Sequence, residues 1–296
     1  MKSKFYGLIA AVPMALASVT ASAGIADVVV VVDESGSMGG EHAWIDDAIA
    51  DLEAGLKAAG IGDDSDGNDF NRYALVGYGS RGVDPVGISN SGRNNDTWMS
   101  SSDFATATGS LLTNGGTEDG YDGIDYFFDK YTKRGDAALN VILVTDEDRD
   151  VYNSNATYNS ILSAITGVGG LLNVVVNTTL REDNTTFPNL LGVDSDGNGY
   201  KADGSGGYDT VANASAVFGS GTTIADYVNL AFATGGAAWD LNQLRAGGNT
   251  ALSFSEAFVD IKVSEIEEQV DETVPVPAPL ALIGLGLLAM VARKRS

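Results

Sequence analysis

The sequence predicts an α/β fold: a doubly wound, mostly parallel sheet flanked by helices in a single domain. Three observations carry that expectation. Val28–Val32 is an unbroken β-branched run, which suits a strand buried on both faces. Ile45, Ala48, Ile49, Leu52, Leu56 and Ala59 then recur at three- and four-residue spacing, the mark of an amphipathic helix. The same strand-then-helix alternation continues down the chain, as a doubly wound sheet requires.

Element by element, Gly60 closes the first helix and Tyr73–Tyr78 forms a second strand, with Trp98-Met99 a candidate third. Ser102 or Asp103 caps a helix ending near Leu112. Glu118–Tyr131 is helical, with Ile124, Phe127, Phe128 and Tyr131 on one side. The strand Leu139–Thr145 follows, then a helix from about Thr157 to Ile165 and the strand Leu172–Val176. Arg181–Gly221 is longer and richer in Gly, Asn and Asp than such a domain needs, and reads as an insertion (about 181–221). Thr222–Ala233 is helical, Ala237–Leu241 an edge strand, and Leu252–Val263 a closing helix. The domain thus spans 24–263, and the acidic, proline-bearing stretch 264–279 reads as a linker.

The two ends are address labels. Met1–Ala23 has Lys2 and Lys4, an apolar run Phe5–Val19, and the small-residue site Ala21-Ser22-Ala23, the three parts of a secretory signal peptide (1–23). At the other end, in 280–296, the apolar run Leu280–Ala292 is followed by Arg293-Lys294-Arg295. That run is shorter than the roughly 20 residues a transmembrane helix needs, and becomes marginal with Val274–Pro279 added. The tail resembles the PEP-CTERM sorting signals of Gram-negative bacteria, although Val276 stands where the name-giving glutamate would be. The resemblance implies export through the inner membrane and recognition by an exosortase-type protease, with the body passed to the cell envelope, surface or extracellular matrix. A plain C-terminal membrane anchor is the alternative reading.

Composition narrows the chemistry. The 296 residues contain no cysteine and one histidine, His42. Disulfides, thiolate metal sites and a multi-histidine zinc centre are therefore excluded. Lys+Arg number 17 against 40 Asp+Glu, a formal charge of −23. Five of the basic residues lie in the two ends, which hold no acid, so 12 against 40 leaves −28 on the body. Such a field repels nucleic acid and anionic lipid, limits membrane contact to the termini, and favours cations.

Oxygen-bearing side chains gather where strands of a doubly wound sheet end, the usual ligand edge. Asp33-Glu34-Ser35-Gly36-Ser37 follows the first strand, Gly115-Gly116-Thr117-Glu118 precedes a helix, and Thr145-Asp146-Glu147-Asp148 ends a later strand. Carboxylate and hydroxyl oxygens are hard ligands, suited to Mg²⁺, Mn²⁺ or Ca²⁺. Asp33-x-Ser35-x-Ser37 with Thr117 and Asp146 resembles the metal-ion-dependent adhesion site (MIDAS) of von Willebrand factor type A (vWA) domains. The resemblance covers roughly residues 25–262. It implies that Ser35, Ser37 and Thr117 bind the ion through hydroxyls and that Asp33 and Asp146 hold it directly or through water. One position is left for an acidic group on a protein or extracellular-matrix partner. It therefore implies a non-catalytic, exported adhesion module. Glu147 and Asp148 lie beyond the family pattern and read as solvated acids.

Two other aspartate-rich loops stand apart. Asp194, Asp196, Asn198, Tyr200 and Asp203 follow the opening of a calcium loop, but position 12 is Ser205 where a bidentate Glu belongs. A shortened Ca²⁺ loop and a flexible polar loop both fit. Asp64-Ser-Asp66-Gly-Asn68-Asp69 is a weaker version of the same pattern. His42 reads as a half-exposed first-turn residue, and Trp44, Trp98 and Trp239 as residues in or around the core. Two further functional classes fit the same residues. One is a metal-assisted hydrolase with Glu118, Glu147 or Asp148 as base, the other a calcium-dependent structural matrix protein.

Overall fold

Valines that alternate across one central strand anchor two cores at once. The computed structural model describes residues 24–62, 70–79, 82–85 and 97–273, which fall in one compact unit, Ala23–Val274. Strand β1 (Ile25–Asp33) is buried along its whole length. Val28, Val30 and Val32 face a core formed with helices α1 (Gly39–Ala58) and α7 (Gly248–Thr273). Val29 and Val31 face a second core, formed with α3 (Gly120–Lys130), α4 (Tyr158–Thr166) and α5 (Asn229–Thr234). Each buried valine contributes roughly 1.5–3 kcal/mol, so this one strand couples both layers.

The parallel strands are β2 (Arg72–Tyr78), β1, β4 (Ala137–Thr145), β5 (Leu171–Val176) and β11 (Ala237–Asp240), adjacent in that order. β3 (Val83–Pro85) pairs antiparallel with β2 at one edge. The mostly parallel sheet and its flanking helices match the expected class. Helix starts follow their caps. Ser100 caps α2 (Ser101–Thr108), two residues before Ser102 and three before Asp103, the expected caps, and Thr157 with Ser160 forms a capping box at α4.

Four expectations need correction. The segment 181–221 is built of strands: β6 (Thr178–Glu182), β7 (Gly192–Asp194), β8 (Gly199–Ala202), β9 (Tyr208–Val211) and β10 (Ala214–Gly219). β7, β8 and β9 extend the main sheet antiparallel beyond β11, while β6 and β10 pair separately. Ala237–Asp240 is therefore an interior strand. Gly192 makes the extension possible, because a Cβ there would lie 2.5 Å from the Trp239 ring. Trp98-Met99 forms only an isolated bridge, Met99 to Tyr73. A π-helical turn, Ile224–Val228, precedes α5, and a short helix α6 (Leu241–Arg245) precedes α7. α7 itself runs to Thr273, so part of the stretch expected as a linker is helix. Among the described residues no helix is long and apolar enough to cross a membrane. The signal peptide, the loop 64–69 and the tail 280–296 lie outside the described residues.

Candidate metal centre

At the carboxyl end of β1 the chain turns sharply into α1, and the acid that ends the strand is buried beneath that turn. Asp33 is 0% exposed. Its Oδ1 accepts the Ser35 amide at 2.7 Å, and its Oδ2 accepts the Thr145 hydroxyl at 2.9 Å. The buried His42 ring sits 3.0 Å from the Asp33 carbonyl through Nε2, holding the strand end in place. His42 is therefore not the half-exposed residue expected. The Ser35 and Ser37 hydroxyls lie 3.0 Å apart, and Ser37 donates to Asp146 Oδ1 at 2.9 Å. Ser35, Ser37 and Asp146 thus form one continuous polar chain across the ends of β1 and β4.

The Thr117 loop is pinned to the same edge through backbone. Gly115 donates its amide to the Glu34 carbonyl and Gly116 to the Gly79 carbonyl, at 2.9 and 3.2 Å. Gly79 has φ +95°, and a Cβ there would meet the Thr117 carbonyl at 3.1 Å and Asp33 Oδ1 at 3.6 Å. Glycine is needed for that close approach. Thr117 is exposed beside a cavity of about 270 Å³ that also touches Asp119, Asp122 and Tyr152. Asp119 takes no charge to this cavity unpaired, because Arg149 grips both its oxygens at 2.6 and 3.2 Å.

Negative charge concentrates here. Burial, reinforced by Asp146, raises Asp33 to about 6. Desolvation raises Glu118 to about 7, with Asp33, Glu147, Asp146 and Asp150 adding repulsion in that order. Glu147 is raised for the same reasons. Among the described residues one cation bonds Asp146 directly. Arg245, at the end of α6, donates to Asp146 Oδ2 at 2.8 Å, to Glu41 Oε1 at 2.7 Å and to the Ser37 carbonyl at 3.1 Å. Glu147 is exposed as expected, but Asp148 is half-buried and accepts the Thr222 amide at 3.1 Å.

The donor set suits a hard cation: serine and threonine hydroxyls with two carboxylates, and no soft or nitrogen ligand among them. Among the described residues no group of three or more His, Cys, Asp or Glu side chains is placed to hold a metal ion. The chemistry at this edge rests on hydroxyls. Sequence reading missed Thr145 as the partner of Asp33 and Arg245 as the partner of Asp146. Thr145 ends its strand beside the motif and could have been found; Arg245 lies 99 residues from Asp146 with no local signal.

The other candidate loop is a closed unit. Asp194 Oδ1 accepts the amides of Asp196 and Asn198 at 3.0 and 2.9 Å. Its Oδ2 accepts Asn198 Nδ2 and the Tyr200 hydroxyl at 2.9 and 2.8 Å. Asp203 sits at the far end of β8, where it accepts the Ser205 amide and hydroxyl at 2.6 and 2.7 Å. The five residues therefore form two hairpin turns, not one cluster. All three tryptophans pack as expected: Trp44 and Trp239 against Phe254 and Phe258, and Trp98 against Phe127 and Tyr131.

No curated protein matches the chain. Among the solved structures that resemble it weakly are the following three. Proximal thread matrix protein 1 from the mussel byssus, with zinc in its MIDAS motif, aligns at 17% identity over 52% of this chain and 38% of its own (TM-score 0.38). A von Willebrand factor type A protein from Catenulispora acidiphila aligns at 18% over 52% of this chain and 33% of its own (TM-score 0.33). An aerotolerance-related membrane protein from Bacteroides fragilis aligns at 11% over 83% of this chain and 99% of its own (TM-score 0.43). The chain thus spans well under two thirds of the first two. Residues 273–296 match the PEP-CTERM protein-sorting motif, and that motif stands at the C-terminus of this chain.

Proposed function

We propose that the chain is an exported adhesion or matrix module whose β1–α1 edge binds a divalent cation. In this reading Ser35, Ser37 and Thr117 supply hydroxyl oxygens, and Asp33 and Asp146 supply the charge. Mg²⁺ or Mn²⁺ fits the small, hydroxyl-rich set best, with Ca²⁺ the larger alternative. When bound, the ion would supply a positive centre for an acidic group on a protein or matrix partner. The chain's own contribution is to hold the donors on rigid strand ends and leave Thr117 and Ser37 open to solvent.

The observation that carries this reading is the state of Asp33: a fully buried carboxylate, held by the Ser35 amide and the Thr145 hydroxyl, next to a second acid and, among the described residues, without a contacting arginine or lysine. Burial of such a group without a cation is costly, and a cation at this edge removes the cost. The C-terminal motif supports export and exosortase processing, which would place the module at the envelope, the surface or the matrix of a Gram-negative cell.

Titration calorimetry with Mg²⁺, Mn²⁺ and Ca²⁺ on the wild type and on Ser35→Ala checks it. The expected result is one site per wild-type chain and at least a tenfold loss, about 1.4 kcal/mol, in the variant. Equal binding by both proteins would refute the assignment.

A further inference from the structure

A second cluster of reactive groups lies between the sheet and α7, apart from the cation edge. Lys262 on α7 is fully buried beneath the rings of Trp239 and Phe258, at 5.5 and 5.7 Å. Its Nζ donates to Oδ1 of Asn173 on β5 and, at 2.6 Å, to Oε1 of Glu265. The other oxygen of Glu265 accepts Asn173 Nδ2 at 2.8 Å and Asn140 Nδ2 at 3.0 Å. Asn173 Oδ1 also accepts the Ala237 amide at 2.9 Å, and Asn173 Nδ2 donates to Asn140 Oδ1 at 3.1 Å. Asn173 is 0% exposed. An amine, a carboxamide and a carboxylate that touches both are therefore locked together in an apolar shell.

Each contact matches one requirement of acyl transfer. The amine lies on the carboxamide it would attack. The Ala237 N–H already points at the oxygen on which charge would develop. The carboxylate bonds both the nitrogen that must lose protons and the nitrogen that must gain one. Burial pushes the Lys262 ammonium down to about 8, against the opposing pull of Glu265, which raises the share of neutral nucleophile.

We propose that Lys262 and Asn173 become joined by an intramolecular amide bond, with Glu265 as the proton relay. Glu265 takes one proton from the Lys262 ammonium, and the freed Nζ lone pair attacks Asn173 Cγ. Glu265 returns that proton to Nδ2 as the Cγ–Nδ2 bond breaks, then takes the surplus proton from the new Nζ–Cγ link. Ammonia leaves, one N–H stays on the amide, and atoms, charge and electrons balance with no outside reactant. The product ties β5 to α7, the helix that ends at Thr273 where the sorting motif begins. A pull on that end of the chain would then peel α7 no further than Lys262 before it loads the central sheet. This linkage does not depend on the cation site.

Peptide mapping of the purified chain by tandem mass spectrometry tests it. The expected result is a branched peptide containing Lys262 and Asn173, lighter than the sum of its two parts by one ammonia. Glu265→Gln and Lys262→Arg should yield the two peptides separately at full mass. Recovery of separate, full-mass Lys262 and Asn173 peptides from the wild type overturns the proposal, and that result needs no variant to fold. A branched peptide that persists in Glu265→Gln would overturn the relay role of Glu265.

Discussion

Strand β1 carries a fully buried aspartate near each end, and the two are treated in opposite ways. Asp27 is gripped by two arginines: Arg72 reaches Oδ1 and Oδ2 at 3.0 and 2.7 Å, and Arg134 reaches Oδ1 through Nε and Nη2 at 3.0 and 2.7 Å. The Arg134 amide adds a further bond to Oδ2 at 2.8 Å. Arg72 is itself stacked over Trp98 at 4.5 Å. Asp33, six residues on, meets a serine amide and a threonine hydroxyl, and burial raises it to about 6. Same residue type, same strand and same burial lead to a sealed ion pair at one end and, among the described residues, an acid without a cationic partner at the other. Folding alone explains the first arrangement. The second costs stability, which is the usual signature of a site kept for a ligand.

The sharpest way to break the comparison is at the sealed end. Asp27→Asn turns an amide donor toward Arg72 Nη2 and the Arg134 amide, donor facing donor, and leaves two guanidiniums without their acid. The expected loss is about 3–5 kcal/mol of unfolding free energy in urea, unaffected by added Mg²⁺. A loss under 1 kcal/mol would mean that solvent replaces the acid and that the two ends differ less than their contacts indicate.

At the open end the sign reverses. Asp33 is raised from 3.8 to about 6 in the folded chain, so the fold binds its proton more tightly than the unfolded chain does. Its contribution favours folding at low pH and is lost as pH rises from about 4 through about 6, some 3 kcal/mol by pH 7. Asp33→Asn removes that slope, since the Thr145 hydroxyl can turn to accept from the new amide. In chelator at pH 7 the variant should be more stable than wild type by up to about 3 kcal/mol, with the gap closing by pH 4. Glu147 is raised and remains in both proteins, whereas Glu118 is raised partly by Asp33 itself, so the difference between the two curves reports Asp33 together with the relief of its repulsion on Glu118. Saturating Mg²⁺ should stabilise the wild type and leave the variant unmoved. A variant less stable than wild type at pH 7 would show that Asp33 is satisfied as it stands.

Sequence patterning captured what depends on near neighbours. The β1 valines, the α1 spacing and the helix start near Thr157 depend on a few neighbouring residues, so they could be read directly. The strands of 178–219 could not, because such short Gly- and Asn-rich runs take strand form through distant partners: β7 and β8 against Trp239, and β6 with β10. The Asp194 loop, for which a calcium loop and a polar loop both fit the sequence, is ambiguous for a different reason. A carboxylate that accepts amides two and four residues on, as Asp194 does, uses the same residue pattern as a calcium loop. Composition cannot tell a turn that satisfies itself from one that waits for an ion. At the β1–α1 edge, the positions of Asp33, Ser35, Ser37 and Asp146 after strand ends, and of Thr117 before α3, follow from local patterning, whereas Arg245 enters only through the packing of α6.

Arg245 gives the finest test of the difference between the two ends. Among the described residues it is the one place where the open end resembles the sealed one, a guanidinium seated on the Asp146 carboxylate at 2.8 Å. Glu41 and Asp146 hold it firmly protonated, so its charge persists at any pH at which the chain folds. A divalent ion drawing on Asp146 must share that carboxylate with the arginine or move it aside. Arg245→Gln removes the competing charge and should tighten Mg²⁺ binding by about tenfold, about 1.4 kcal/mol, as read by calorimetry. The same variant leaves the buried Glu41 short of a charged partner, so in chelator it should lose about 1–2 kcal/mol of stability. Opposite signs for binding and stability would identify Arg245 as a stand-in cation. Weaker Mg²⁺ binding in the variant would instead make Arg245 a brace for Asp146, and the open end would be more finished than its buried acid suggests.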